Sequence, residues 1–224
     1  MRGNVVWQLI RKDWRLHRMM ILITLVAGIA ALAIVQWGGQ TPIVVGGVFF
    51  FIALILGGHM LPFGGIVNER KNKNLAFLMS LPISSIQYTT SKLISNVLMF
   101  LIPWLALVAA AVILIMVRGM IPRGAIPVVL ILSLLPFVGF CLITGAALVG
   151  ESEGWSIAAN VFCSSTYGLT WYSMTQIPSL MVNTQKSVPV WNAITLKILG
   201  AEILTILVML GLTYFFQSRK RDFV

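Results

Sequence analysis

Acidic residues are scarce in this chain, with six Asp and Glu among 224 residues, and histidine and cysteine are scarcer still, two of each. The acids Asp13, Glu69, Glu151, Glu153, Glu202 and Asp222 and the histidines His17 and His59 are scattered along the sequence. No acid–base pair, nucleophile–base pair or metal-ligand set can be assembled from them, which argues against an enzyme and leaves catalytic and metal positions unassigned. Cys141 and Cys163 both fall inside apolar runs at similar depth, where packing as small hydrophobes is favoured over a disulfide or a metal site. A Gly-x-x-x-x-Gly-Lys-Ser/Thr phosphate loop is missing, as is any Gly-Lys dipeptide, so the chain has no such nucleotide-cradling loop of its own. Charge of either sign is low, at 10% of residues against 58% hydrophobic, and the mean hydropathy of +0.95 excludes an ordinary soluble domain.

What fills the chain is apolar sequence. Crossing ~30 Å of hydrocarbon takes roughly 20 apolar residues. Six runs qualify: Met19 to Trp37, Ile43 to Val67, Leu93 to Val117, Ile126 to Val149, Trp155 to Ile177 and Ile198 to Phe216. The expected fold is all-α, a single polytopic transmembrane domain over residues 1–224 with six transmembrane helices. The first run is long and no small-x-small cleavage site follows it, so it reads as a retained span rather than a signal peptide. Trp37, Trp155, Trp171 and Trp191 sit near span ends, as aromatic belts do.

The net charge of +10 does not point to nucleic acid, because the basic residues are gathered at span ends instead of on one solvated face. Arg2, Arg11, Lys12, Arg15 and Arg18 precede the first span, Arg70, Lys71, Lys73 and Lys92 separate the second from the third, and Arg219, Lys220 and Arg221 follow the last. The other side receives only Arg118, Arg123, Lys186 and Lys197. The positive-inside rule then places both termini on the cytoplasmic side of a cell membrane and demands an even number of spans.

Residues 1–18 predict an interfacial helix. At roughly 100° per residue, Val5, Val6, Trp7, Leu9, Ile10, Trp14 and Leu16 share one broad arc and Gln8, Arg11, Lys12, Arg15 and Arg18 fill the other, an arrangement suited to the lipid headgroup boundary.

The longest polar interruption, 68–92, reads NERKNKNLAFLMSLPISSIQYTTSK. Asn68 can cap a helix and Glu69 suits its first turn. Asn74, Phe77, Leu78 and Leu81 then recur at helical spacing with Leu75 and Met79 beside them, Pro82 ends the element, and Ser84 with Gln87 forms a capping box that restarts a helix through Lys92 into the third span. Such an apolar helix either lies on the lipid surface or inserts into a groove on a soluble partner.

This segment resembles the corresponding loop in permease subunits of ABC transporters, in the type-2 exporter family. The resemblance rests on the order of basic interfacial helix and two spans, then Glu69, Arg70 and Lys71, the core Phe77-Leu78-Met79-Ser80-Leu81-Pro82-Ile83-Ser84, and Lys92 before the third span. The topology match covers essentially the whole chain and the motif match only this loop. The resemblance implies that 68–92 is a cytoplasmic coupling segment in which Glu69, Arg70, Leu75, Phe77, Leu78, Met79 and Leu81 dock on a separate ATPase. ATP and Mg are then bound by that partner, present in two copies, and a second permease chain, identical or related, completes the complex. The residues themselves give neither cargo nor direction.

Within the spans, polar residues mark either helix contacts or a translocation path. The fifth run carries Asn160, Ser164, Tyr167 and Trp171 at helical spacing, with Ser165, Thr166, Thr170 and Ser173 nearby. Glu202 lies in the last run below Lys197; Asn160, Ser164, Tyr167, Trp171 and Glu202 are the candidate path. His59, beside Gly57, Gly58 and Pro62, reads as a hydrogen-bonded packing residue at a kinked segment. Glu151 and Glu153 read as a solvated turn and Pro103 and Pro136 as kinks, and residues 178–191 resemble the small outer hairpin that such permeases place over the exit. A substrate-binding membrane subunit or a secondary transporter is the competing class, although neither a repeat nor a midplane charge pair is evident.

Overall fold

The computed structural model describes residues 2–71, 85–150 and 152–219, side chains at 2–5, 70, 85 and 86 apart. Every regular element among them is helical. Helix α1 (Arg2–Val35) runs without a break, so the expected interfacial helix and first span form one rod. Its 34 residues reach about 51 Å at ~1.5 Å per residue, well beyond the hydrocarbon thickness. Helix α2 (Gln40–Pro62) returns after a turn at Gly38 and Gly39, whose positive φ values of 75° and 84° favour glycine. A π-helical turn, Phe63–Val67, and the short helix α3 (Asn68–Lys71) continue it.

Beyond segment 72–84 the chain enters α4 (Ser85–Arg118), which passes through Lys92 and Pro103 without interruption. The helical restart expected there is therefore present, although Ser84 lies outside the described residues. Then follow α5 (Ile126–Val149), α6 (Glu153–Thr175), the short α7 (Pro178–Thr184) within the expected outer hairpin, and α8 (Ala193–Arg219). Trp37, Trp155, Trp171 and Trp191 are all exposed near helix ends.

Five helical stretches are long and apolar enough to cross a membrane: Val6–Val35, Gln40–Val67, Gln87–Arg118, Arg123–Val149 and Ala193–Arg219. Helix α6 is not among them. At 23 residues it is as long as α2, but its Asn, Ser and Thr content lowers its hydropathy.

Chain direction follows from the packing. Near one end Ile66 and Val67 cluster with Ala147 and Leu148, and Thr213 of α8 lies against Gly145 of α5. At the other, Val128 and Ile131 cluster with Met174, Leu180, Ile198 and Leu199, and the Gly124 amide donates to the Lys186 carbonyl at 2.8 Å. The chain is thus at the first end at Gly150 and at the second by Met174, so α6 runs the length of α5. A central core of Leu54, Met99, Phe100, Leu107, Phe137 and Phe140 joins α2, α4 and α5, with Ile206 of α8 against them. The Trp104 indole N–H donates to the Ser133 carbonyl at 2.6 Å, tying α4 to α5.

Close approach of α1 and α2 depends on glycine. A Cβ on Gly46 would stand 2.7 Å from the Ala31 carbonyl oxygen and 2.9 Å from the Val35 nitrogen, whereas one on Gly47 would meet nothing within 4 Å. Gly46→Val therefore forces the two backbones apart at a cost of about 1–3 kcal/mol, and Gly47→Val does not. Thermal unfolding in detergent checks this as a lowered transition for the first variant beside an unchanged one for the second.

Candidate functional site

The charged residues that sequence reading assigns to separate roles meet at the end of the bundle where α2 stops and α4 begins. Lys92 is only 1% exposed, and its ammonium lies 3.0 and 2.9 Å from the two carboxylate oxygens of Asp13, itself 1% exposed. The same ammonium is 2.9 Å from Oε2 of Glu69. Glu69 is gripped again at Oε1 by Lys12 Nζ at 2.7 Å and at Oε2 by the Tyr88 hydroxyl at 3.3 Å. The Ser95 hydroxyl donates to Asp13 Oδ2 at 3.1 Å, and Lys12 stands 3.6 Å from Asp13 Oδ1. Two carboxylates and two ammonium groups thus form a compensated set drawn from three helices.

Local sequence explains the convergence. Leu9, Ile10, Asp13, His17 and Thr24 recur at helical spacing on the inward side of α1. His17 Nδ1–H donates to the Asp13 carbonyl at 2.9 Å, and the ring lies close to Gly64, where an added Cβ would stand 3.1 Å from Nε2. The π-helical turn at Phe63–Val67 passes against that ring before Glu69 is reached. Burial raises the Glu69 carboxyl, but Lys92 and Lys12 outweigh it and hold the group below its ordinary value of 4.5.

Glu69, expected at a docking surface, therefore has both oxygens engaged inside the chain. Arg70 is placed in α3 by its backbone alone. Leu75, Phe77, Leu78, Met79 and Leu81 lie outside the described residues. Glu153, read as part of a solvated turn, is exposed and stands 3.6 Å from Lys71. Asp13, which sequence reading left unassigned, is the residue it missed; the available signal was an acid on the inward side of α1 among basic residues.

A second polar group lies among α2, α5 and α6. His59 Nδ1 is 2.6 Å from Asn160 Oδ1 and Nε2 is 2.8 Å from the Tyr167 hydroxyl oxygen. This fits a neutral imidazole that donates to Asn160 from Nδ1 and accepts the Tyr167 proton at Nε2. Phe51 packs edge-on against Tyr167 with centroids 5.8 Å apart. Gly139 makes the contact possible, since a Cβ there would collide with the Tyr167 hydroxyl. His59 is thus the hydrogen-bonded packing residue the sequence suggests.

The candidate path residues divide accordingly. Asn160 and Tyr167 turn inward to His59, while Ser164 and Trp171 are exposed, Trp171 by 51%. The Ser164, Thr166 and Ser173 hydroxyls each donate to a carbonyl four residues back. Glu202 stands apart from both groups. It is 8% exposed and neither carboxylate oxygen has a hydrogen-bond partner among the described residues. Lys197 is exposed and forms no ion pair with it there.

The chain matches no protein-family profile, no curated protein and no solved structure.

Lys92→Met removes the buried cation and leaves Asp13 and Glu69 with Lys12 as their remaining counter-charge, a loss of about 3–5 kcal/mol. Because Glu69 titrates below its ordinary value when folded, its contribution is complete above about pH 4.5 and is lost as pH falls below that. Thermal unfolding from pH 7 down to pH 3 checks both points: a lower transition for Lys92→Met at pH 7 that draws closer to wild type toward pH 3, and wild-type stability that declines only in the acid range. Tyr167→Phe strands the acceptor Nε2 of His59 and costs about 1–3 kcal/mol by the same assay.

Proposed function

We propose that the chain is the membrane-spanning permease subunit of an ATP-driven ABC exporter of the type-2 family, with segment 68–92 as its coupling element. The observation that carries this reading is the ion cluster gripping both flanks of segment 72–84. Glu69 before it and Lys92 after it meet each other, and Asp13 of α1 closes the set. A load on an apolar helix held in that segment passes directly into α2 and α4, because neither flank ends in free chain. Leu75, Phe77, Leu78, Met79 and Leu81 are the residues that enter the ATPase groove, with Arg70 at its rim and Glu69 securing the flank.

Six spans follow on this reading. Helix α6 has the length to cross and runs beside α5, which is apolar enough to span. Its Ser164, Thr166 and Ser173 hydroxyls return to their own helix, the condition for polar side chains in a poorly hydrated setting. The last turns of α8 lie toward the end of the bundle that holds the ion cluster, as an even number of crossings requires. Basic residues gathered at that end make it cytoplasmic by the positive-inside rule. Two such chains over two ATPases, which bind ATP and Mg, move substrate by alternating access. Ser164 and Trp171 on α6 face outward to the second chain, and Glu202 belongs to the path.

A transporter or substrate-binding subunit working without an ATPase is the second reading, and the unpartnered, buried Glu202 is the observation that favours it.

Affinity purification of the tagged chain from its native membranes, followed by mass spectrometry, tests the assignment. The expected result is co-purification of an ATPase carrying a phosphate loop. Leu78→Asp is expected to insert normally yet lose the ATPase, since a carboxylate is forced into an apolar groove. Undiminished capture by that variant counts against docking, and transport by the chain alone in ATP-free vesicles favours the second reading.

A further inference from the structure

The exposed side of α1 carries a ladder of unpaired cations. At roughly 100° per residue, Arg11, Arg15 and Arg18 lie within about 60° of one another, opposite the inward-facing Asp13. All three are exposed, and none forms an ion pair among the described residues. Asp13, the acid between them in sequence, is held by Lys92 on the other side of the rod. Neither residues 1–10 nor segment 72–84 contains an acid. Arg11 and Arg15 line one shallow cleft with Gln8 and Leu16, and Lys12, at the same cleft, is engaged by Glu69.

The same side of the rod continues without a break into apolar surface. Leu22, Val26 and Ile29 fall within about 80° of the ladder's arc, and each is more than half exposed. Met19 opens the apolar run, so Arg15 and Arg18 lie within four residues, about 6 Å, of its start. That places them inside a headgroup layer roughly 5–7 Å deep on each side of the hydrocarbon. Trp7 and Trp14, both exposed, flank the ladder, as indoles at headgroup depth do. An acidic soluble protein answers the arginines but not the apolar continuation. A phospholipid answers both, with phosphate and hydrocarbon in the order the helix presents them.

We propose that this side of α1 holds one anionic glycerophospholipid, its phosphate between Arg15 and Arg18, its headgroup in the cleft beside Arg11, and an acyl chain along Leu22, Val26 and Ile29. Two guanidinium groups supply charge-assisted hydrogen bonds to the phosphate oxygens. A zwitterionic headgroup brings its own ammonium against Arg11 and is disfavoured by like-charge repulsion. The site depends on the chain spanning a membrane and is independent of any ATPase.

Native mass spectrometry of the purified chain after exposure to phosphatidylglycerol and phosphatidylcholine vesicles of matched acyl chains tests the site. Wild type is expected to retain one phosphatidylglycerol in preference to phosphatidylcholine. Arg15→Gln combined with Arg18→Gln is expected to lower phosphatidylglycerol retention about 25-fold, or about fivefold for each basic side chain at a headgroup, and to leave phosphatidylcholine unchanged. Arg118→Gln combined with Arg219→Gln removes the same charge from exposed positions elsewhere and is expected to keep the wild-type preference. Equal retention of the two lipids by wild type, an unchanged preference in the α1 variant, or an equal loss in the charge-matched control overturns the proposal. A photoreactive residue at Gln8, in native membranes, adds a second measurement: a lipid adduct supports the site, and an adduct with another protein chain overturns it.

Discussion

The arrangement of this bundle at its charged end depends on one ammonium group, Lys92, held between the carboxylates of Asp13 and Glu69. A buried charge is tolerable only where opposite charges and hydrogen bonds surround it. That requirement fixes the register of three helices at once. Asp13 must face inward on α1, α2 must be extended through its π-helical turn far enough to deliver Glu69, and α4 must begin early enough for Lys92 to lie inside it. Lys12 and Tyr88 then saturate Glu69, and Ser95 completes Asp13. Elsewhere the helices meet through apolar surfaces, glycine contacts and neutral hydrogen bonds such as Trp104 to Ser133.

Polar groups deeper in the bundle follow another rule. On α6 the Ser164, Thr166 and Ser173 hydroxyls close onto their own backbone, while Asn160 and Tyr167 are paired with His59 across the helix boundary. Self-satisfied hydroxyls leave α6 free on its outer side, and the imidazole pins its inner side to α2. Glu202 obeys neither rule among the described residues, nor do the buried Thr144 and Ser156 hydroxyls, but Glu202 is the carboxylate among them and so the candidate for contact with something outside this chain.

The helices and their approximate ends were legible because apolar runs of about 20 residues and their basic flanks state bilayer geometry directly. The restart of α4 and the packing role of His59 were legible from capping and neighbouring residues. The contacts that organise the charged end were not. Asp13 and Lys92 are 79 residues apart, and no local pattern announces that an acid among basic residues on α1 will pair with a lysine at the mouth of another helix. The same limit hid Gly139, whose missing side chain admits Tyr167. Periodicity placed Asn160, Ser164, Tyr167 and Trp171 on one stripe of α6, yet the inward side also takes Ala159 and Cys163 and leaves Ser164 and Trp171 outside. A stripe read at roughly 100° per residue is broad enough to straddle two sides of a helix, and only the neighbours decide which is inward.

On the permease reading, this geometry determines where movement is taken up. The flanks of segment 72–84 are joined through Glu69 and Lys92, so a push that reaches them bears on α2, α4 or both. Helix α4 is a single uninterrupted element from Ser85. Between Glu69 and the body of α2, by contrast, lies the π-helical turn at Phe63–Val67, with Gly64 and Gly65 set against the His17 ring. A wider helical turn with two glycines has weaker backbone restraint than the α-helix on either side, and such turns recur at functional positions. Work delivered at the coupling segment is therefore transmitted stiffly into α4 and compliantly into α2. That asymmetry converts a single displacement into a relative motion of the two helices, which alternating access requires.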